Sequence, residues 1–172
     1  MTDWSLRLAR LSDAEAMPPV EAAAGALFQK VEGLAGVAGM HTVPVDRLRR
    51  YIRKGHCLVT HVGERMAGFL VNEPFRRELH IWEFNVHPDF QQKGIGAGLV
   101  RACMVDARNS GFKAVTMTTF RDVPWNAPFY AKLGFEEVSA LDAHPRLAGE
   151  LALEADHGLP MERRCAMIAF LD

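Results

Sequence analysis

The segment Phe90-Gln91-Gln92-Lys93-Gly94-Ile95-Gly96-Ala97-Gly98-Leu99-Val100 is a glycine-rich turn that runs directly into an apolar repeat of helical period. Such a turn presents several backbone N–H groups at a helix start, where they can wrap a pyrophosphate; glycine allows close approach, and the helix dipole adds partial positive charge. Lys93 can add a full charge. The alternative is a plain strand-to-helix connection, which any isolated Gly-x-Gly allows. Two other phosphate motifs are excluded. A dinucleotide fingerprint needs a third glycine where Leu99 stands, and a Walker loop needs Gly-Lys-Ser or Gly-Lys-Thr.

The second chemically informative residue is Glu83, a carboxylate inside the apolar run Ile81-Trp82-Glu83-Phe84-Asn85-Val86. Burial there raises its pKa toward the range useful for a general base, although the residue can equally cap the sheet surface or pair with an arginine. His80 and His87 are the other candidate bases, with His87, beside Pro88, also readable as a loop anchor. Cys57, Cys103 and Cys165 each lie in an apolar run and read as core residues, not as disulfide, nucleophile or metal ligands. The seven histidines are scattered, with neither a His-Glu-x-x-His pair nor a Cys-x-x-Cys, so no metal is expected.

These residues need a scaffold. Leu6 to Leu11 reads as a strand, Ser12-Asp13 as the N-cap of a helix running toward Phe28, Val31 to Val43 as a loop, and Val45 to Arg53 as a second helix closed by Gly55. Cys57 to Val62 and Met66 to Val71 form a hairpin about Gly63-Glu64-Arg65, followed by a strand at Leu79 to Val86 that Pro88 stops. Ile95, Leu99, Cys103 and Ala107 mark the helix after the turn, which Gly111 closes. A strand at Ala114 to Phe120, a short helix at Asn126 to Leu133, a strand about Phe135 to Val138 and a last strand at Arg164 to Leu171 complete the pattern, with Leu147 to Asp156 as an extra helix of no evident role. Hairpin strands followed by helix-separated strands predict an α+β fold with an α/β-type mixed sheet, its glycine turn at the carboxyl end of a central strand.

At 172 residues and 49% apolar content, one domain spanning 1–172 is expected. A formal net charge of -1 with interspersed signs leaves no basic face for nucleic acid and no polybasic patch for a membrane. The first thirteen residues lack the apolar core of a secretory signal, and a cytoplasmic location is expected.

Val86-His87-Pro88-Asp89-Phe90-Gln91-Gln92-Lys93-Gly94-Ile95-Gly96 resembles the signature of the GNAT superfamily of N-acetyltransferases, Val-x-Pro followed by Gln/Arg-x-x-Gly-x-Gly/Ala, with Gln91, Gly94 and Gly96 in its three positions. Thr118-Thr119-Phe120-Arg121-Asp122-Val123-Pro124-Trp125-Asn126-Ala127-Pro128-Phe129-Tyr130-Ala131-Lys132-Leu133-Gly134-Phe135 is similar to that family's Asn-x-x-x-x-Tyr-x-x-x-Gly-Phe element. Gln91 stands where arginine is commoner, and Gly98 is unusual inside a helix. The resemblance is motif-specific from Leu79 to Phe135. It implies a GNAT fold whose mostly antiparallel sheet splays at the cofactor site, and acetyl-CoA as co-substrate. It implies CoA contacts at Phe84, Asn85 and Val86, along Gln91, Gln92, Lys93, Gly94, Ile95, Gly96 and Ala97, and at Asn126 and Phe129. Asn126 is also a natural N-cap. The backbone near Val86 would hold the acetyl oxygen, Tyr130 would return a proton to the departing sulfur, and Glu83 would take one from the amine, in direct transfer without a covalent enzyme intermediate.

The resemblance leaves a small-molecule or peptide amine as the acceptor, so the expected activity is N-acetyl transfer to a primary amine. The alternatives are acetylation of a protein N-terminus or lysine, and a non-catalytic acyl-CoA-binding module. Ala14 to Arg53 would build the acceptor site. Within it Glu21 and Asp46 can attract a cation or simply be solvated, and Phe120 and Trp125 can line the acceptor cleft or the core. A homodimer is a further implication of the resemblance.

Overall fold

The computed structural model describes residues 3–40 and 42–172. Seven strands form one sheet in the order β1-β2-β3-β4-β5-β7-β6: β1 Ser5–Leu8, β2 Leu58–Val62, β3 Arg65–Phe75, β4 Glu78–Val86, β5 Ala114–Phe120, β6 Glu136–Glu137 and β7 Arg164–Phe170. Every neighbouring pair is antiparallel except β4 with β5. The helices are α1 Met17–Gly25, α2 Val45–Arg53, α3 Ile95–Asn109, α4 Ala127–Ala131 and α5 Pro145–Asp156.

Strand alternation sorts the core into two layers. Leu58 and Leu70 face the α3 side, where Leu99, Val100, Cys103 and Ala107 are buried. Val59 and Val71, their neighbours in sequence, face the layer formed by Ala14, Met17 and Val20 and by Leu48, Tyr51 and Ile52 of α2. Leu147 and Leu151 of α5 pack with Ala166 of β7.

Several boundaries differ from the sequence reading. The first strand stops at Leu8, and Leu11–Ala16 is a 3-10 helix. Asp13 caps that turn: its carboxylate accepts from Arg10 N–H at 2.7 Å and from Arg7 at 2.7 and 2.9 Å, leaving Pro18 and Pro19 to open α1. The expected loop 31–43 contains a 3-10 helix, Ala35–Gly39. β3 runs past Val71 to Phe75 because it stays paired with β4 as far as Phe75 and Glu78; β2 pairs only as far as Leu70, so Pro74 lies where no β2 acceptor awaits its missing N–H. Gly98 is explained by Trp4: a Cβ at that position would lie 2.5 Å from the indole Cη2.

Two irregularities coincide at the centre of the sheet. Glu83 pairs with Val71 and Ile81 with Asn72, so Trp82 is an extra residue, a β-bulge. Pairing of β4 with β5 ends at Ile81 and Met117. Residues 82–86 and 118–120 therefore continue without pairing to each other, and the sheet is open between them.

Candidate active site

Two cavities that share a border lie at this opening. The larger, of about 590 Å³, holds the glycine-rich turn in its wall; the smaller, of about 330 Å³, holds Glu83. Phe28, Phe84, Asn85, Asn126 and Tyr130 line both.

In the turn, Gln92 (φ 59°) and Gly94 (φ 80°) adopt left-handed conformations, and Gly98 N–H is the first amide to close a helical bond, on Gly94 O at 2.9 Å. The amides of residues 92–97 have no protein acceptor among the described residues. A helix start with unpaired donors in a concave turn fits an anionic diphosphate. Gly96 keeps the channel beside the turn open, since a Cβ there would lie 3.3 Å from Phe84 Cζ and 3.6 Å from Phe129 Cζ. Gln91 fastens the turn to the strand: its side-chain amide donates to Val86 O at 3.1 Å.

Of the residues expected to contact CoA, Phe84, Asn85, Val86, Gln91, Gln92, Gly94, Gly96, Ala97, Asn126 and Phe129 line the larger cavity. Lys93 and Ile95 do not. Lys93 Nζ reaches back to Asp89 O at 3.3 Å over the Phe90 ring, and the Ile95 side chain is buried in the α3 core, leaving it only a backbone role. Asn126 occupies the N-cap position of α4, yet its side chain makes no capping bond; its carbonyl accepts from Phe129 and Tyr130 N–H at 2.9 and 3.1 Å.

Tyr130 is held by three rings, with centroids 5.9 Å from Phe84, 5.4 Å from Phe129 and 6.0 Å from Phe135. Its hydroxyl makes no hydrogen bond among the described residues, and burial raises its pKa, so the phenol keeps its proton at neutral pH. Glu83 is half-buried and among the described residues receives only Asn85 Nδ2, at 3.3 Å. Burial, reinforced by the neighbouring Glu21, pushes its pKa up to about 8.

The other candidates separate cleanly. His80 is fully buried, with Nδ1 2.9 Å from Thr116 Oγ1, and burial lowers its pKa to about 3, so it stays neutral away from either cavity. His87 is the loop anchor, accepting from Asp89 N–H at 3.2 Å. Burial pushes the Cys103 thiol up to about 12. Phe120 lines the smaller cavity and Trp125 the larger, each with its ring beside Phe28 at 5.3 and 5.8 Å.

The two acidic residues left open between a cation site and a solvated face divide, and two further features escaped the sequence reading. Glu21 faces the smaller cavity and accepts Val43 N–H at 3.0 Å, while Asp46 stays at the surface beside Arg49. Arg164 of β7 also lines that cavity, clamped to Glu154 of α5 by two bonds of 3.0 Å and to Thr118 at 3.2 Å. The extra helix thus supplies the anchor for a wall residue. Arg163 ties the 26–40 segment over the cavities by donating to Glu32 O at 2.6 Å while paired with Asp122 at 2.9 Å.

Among solved structures the fold recurs at low identity. The ribosomal-protein-S18-alanine N-acetyltransferase of Escherichia coli matches with TM-score 0.71 at 12% identity, over 99% of this chain and 95% of that one. Ard1 from Thermoplasma volcanium matches at 0.69 and 19%, over 98% of both chains. The PaiA N-acetyltransferase from Thermoplasma acidophilum, solved with coenzyme A, matches at 0.70 and 12%, over 98% of this chain and 99% of that one. The sequence profile described as the acetyltransferase (GNAT) family matches residues 26–135, a span that holds the glycine-rich turn, Glu83 and Tyr130 together. The chain belongs to the acetyltransferase (GNAT) family and is an acyltransferase.

Proposed function

We propose that the protein transfers the acetyl group of acetyl-CoA to a primary amine by direct attack in a ternary complex. The supporting observation is the shared border of the two cavities. A thioester whose diphosphate lies on the 92–97 amides has its acyl end brought to Phe84, Asn85 and Tyr130, where the Glu83 cavity begins.

An alkylammonium has no lone pair, so the acceptor must lose a proton before attack. Glu83, with its pKa raised and no ion pair among the described residues, takes that proton. The nitrogen lone pair forms the C–N bond as the C–S bond breaks, and the sulfur leaves with the electron pair. Tyr130 donates its proton to that sulfur, and the second N–H proton, shed by the nitrogen once the C–N bond has formed, restores the phenol by way of solvent. The ring is fixed by its aromatic neighbours, but its hydroxyl has no hydrogen-bond partner among the described residues, so the O–H can rotate toward the sulfur.

The test is release of free CoA thiol from acetyl-CoA in the presence of an amine panel, beside calorimetry with CoA. CoA binding with amine-dependent thiol release is expected. Tyr130→Phe should cut kcat by about 10²-fold while leaving the Kd for CoA unchanged. CoA binding without transfer to any amine would instead indicate a non-catalytic acyl-CoA module.

A further inference from the structure

From the charge balance of the smaller cavity, and resting on the reading of it as the acceptor site, we infer that the acceptor is a compact aliphatic diamine, whose second ammonium is held by Glu21. Both Glu21 and Glu83 line this cavity, one from α1 and one from β4, and neither forms an ion pair among the described residues. Glu21 accepts Val43 N–H at 3.0 and 3.3 Å and Glu83 accepts Asn85 Nδ2 at 3.3 Å, neutral donors that orient each carboxylate without cancelling its charge.

The nearby cations, Arg164 in the wall and Arg47 of α2, act on Glu83 without forming an ion pair and are outweighed by burial and by Glu21. The Arg164 side chain is only 10% exposed and its guanidinium is already matched by Glu154 through Nε and Nη2, both at 3.0 Å. An acceptor carboxylate would therefore meet an arginine already paired with Glu154 and the two acidic groups Glu21 and Glu83, and α-amino acids and ω-amino acids are disfavoured.

The count of charges during the reaction selects two amines over one. At the moment of attack the reacting nitrogen is neutral and its proton is on Glu83, so, with Arg164 already paired with Glu154, of the two acidic groups in the wall only Glu21 still faces the substrate as an anion. A monoamine leaves it without a counter-ion; a second ammonium supplies one in both the bound and the reacting states. Phe28, Val37, Met40, Phe120 and Leu159 give the rest of the wall an apolar surface suited to a methylene spacer, and about 330 Å³ holds a short one. The 26–40 segment, fastened by Arg163, roofs the cavity.

Calorimetric titration of 1,4-diaminobutane, butylamine, 4-aminobutanoate and a short peptide with a free N-terminus into the protein, with and without CoA, tests this. The diamine should bind at least about 10-fold tighter than butylamine, with 4-aminobutanoate and the peptide weaker still. Glu21→Gln should bring the diamine to the affinity of butylamine, and Glu21→Asp should keep part of the preference, with melting temperature reporting that each variant is folded. Equal affinity for mono- and diamine, a preference for the peptide, or discrimination that survives Glu21→Gln overturns the inference. Failure of the underlying acetyl transfer would show separately, as absent CoA heat or absent thiol release while the amine titrations still read out.

Discussion

Ile81 and Met117 form the last register pair between β4 and β5, and the next residue along β4, Trp82, is the bulged one. Side chains after a bulge change face, so Glu83 takes a position that an uninterrupted strand would have given to its neighbour. Because pairing ends at the same place, the unzipped ends of β4 and β5 border a gap instead of each other. A local backbone irregularity thereby sets both the position of Glu83 and the space beside it.

The pH dependence of kcat/KM separates Glu83 from other ways of losing the amine proton. That constant reports free enzyme and free substrate. With Glu83 as base the productive pair is an ionised carboxylate and a protonated amine, so log kcat/KM should climb with unit slope at low pH and level off near the raised Glu83 pKa of about 8. In Glu83→Gln the rate should fall by about 10²- to 10⁴-fold. Its climb should continue to the amine's own pKa near ~10, since only free amine then reacts. A variant profile that still bends near 8 would assign the base elsewhere.

The same carboxyl should weaken the fold as pH rises. Its pKa moves from 4.5 to about 8 on folding, so the folded state holds a proton that the unfolded chain releases. Stability is therefore full below about 4.5, declines as pH rises through the interval, and has lost its share by about 8. Discounting for partial exposure and the link to Glu21, the loss is about 1–3 kcal/mol. Glu83→Gln should unfold at a higher temperature than the parent at pH 8, with the gap closing at pH 5. Thermal melts at the two pH values measure it.

Much of this site was legible in the letters because its parts are local. The turn at Gly94 and Gly96, the carboxylate in an apolar strand and the tyrosine of the Asn126–Phe135 element are each read from a short window, and ten of the twelve expected cofactor contacts line one cavity. What escaped depends on sequence-distant partners. Glu21, open in the sequence between a cation site and a solvated helix face, is decided only when Val43 and Glu83 are placed beside it. Arg164 gains its place from Glu154, and α5 gains a purpose from Arg164. Lys93 misled for the opposite reason: a lysine before a glycine turn suggests a phosphate ligand, but Asp89 O and the Phe90 ring compete for it. Gly98 lacked meaning until Trp4, over ninety positions earlier, was found against it.

Left-handed glycines offer a paired test of the phosphate turn. Gly94 has φ 80° and Gly111 has φ 86°, so alanine at either should cost about 1–2 kcal/mol of local strain and lower the melting temperature similarly. Only Gly94→Ala re-aims the amides that line the larger cavity. It should weaken CoA binding by at least about 10-fold, whereas Gly111→Ala at the far end of α3 should leave the Kd unchanged. Equal affinities in the two variants would remove the turn from CoA binding.

Gly68 tests whether the open end of β4 is held in place from behind. It pairs with Val86 in the register, and a Cβ there would come within 2.8 Å of the backbone oxygen of Asn85, with Leu99 Cδ1 and Thr60 Oγ1 each at 3.2 Å. A backbone carbonyl in a paired strand cannot swing aside as a flexible side chain can, so Gly68→Ala must push β3 and β4 apart at Asn85 and Val86. The expected cost is about 1–3 kcal/mol of stability. Since Asn85 borders both cavities and orients Glu83, kcat should fall by more than the CoA Kd rises. A variant of parental melting temperature and parental kcat would show that this part of the sheet yields freely and that the position of Asn85 is not what sets the base.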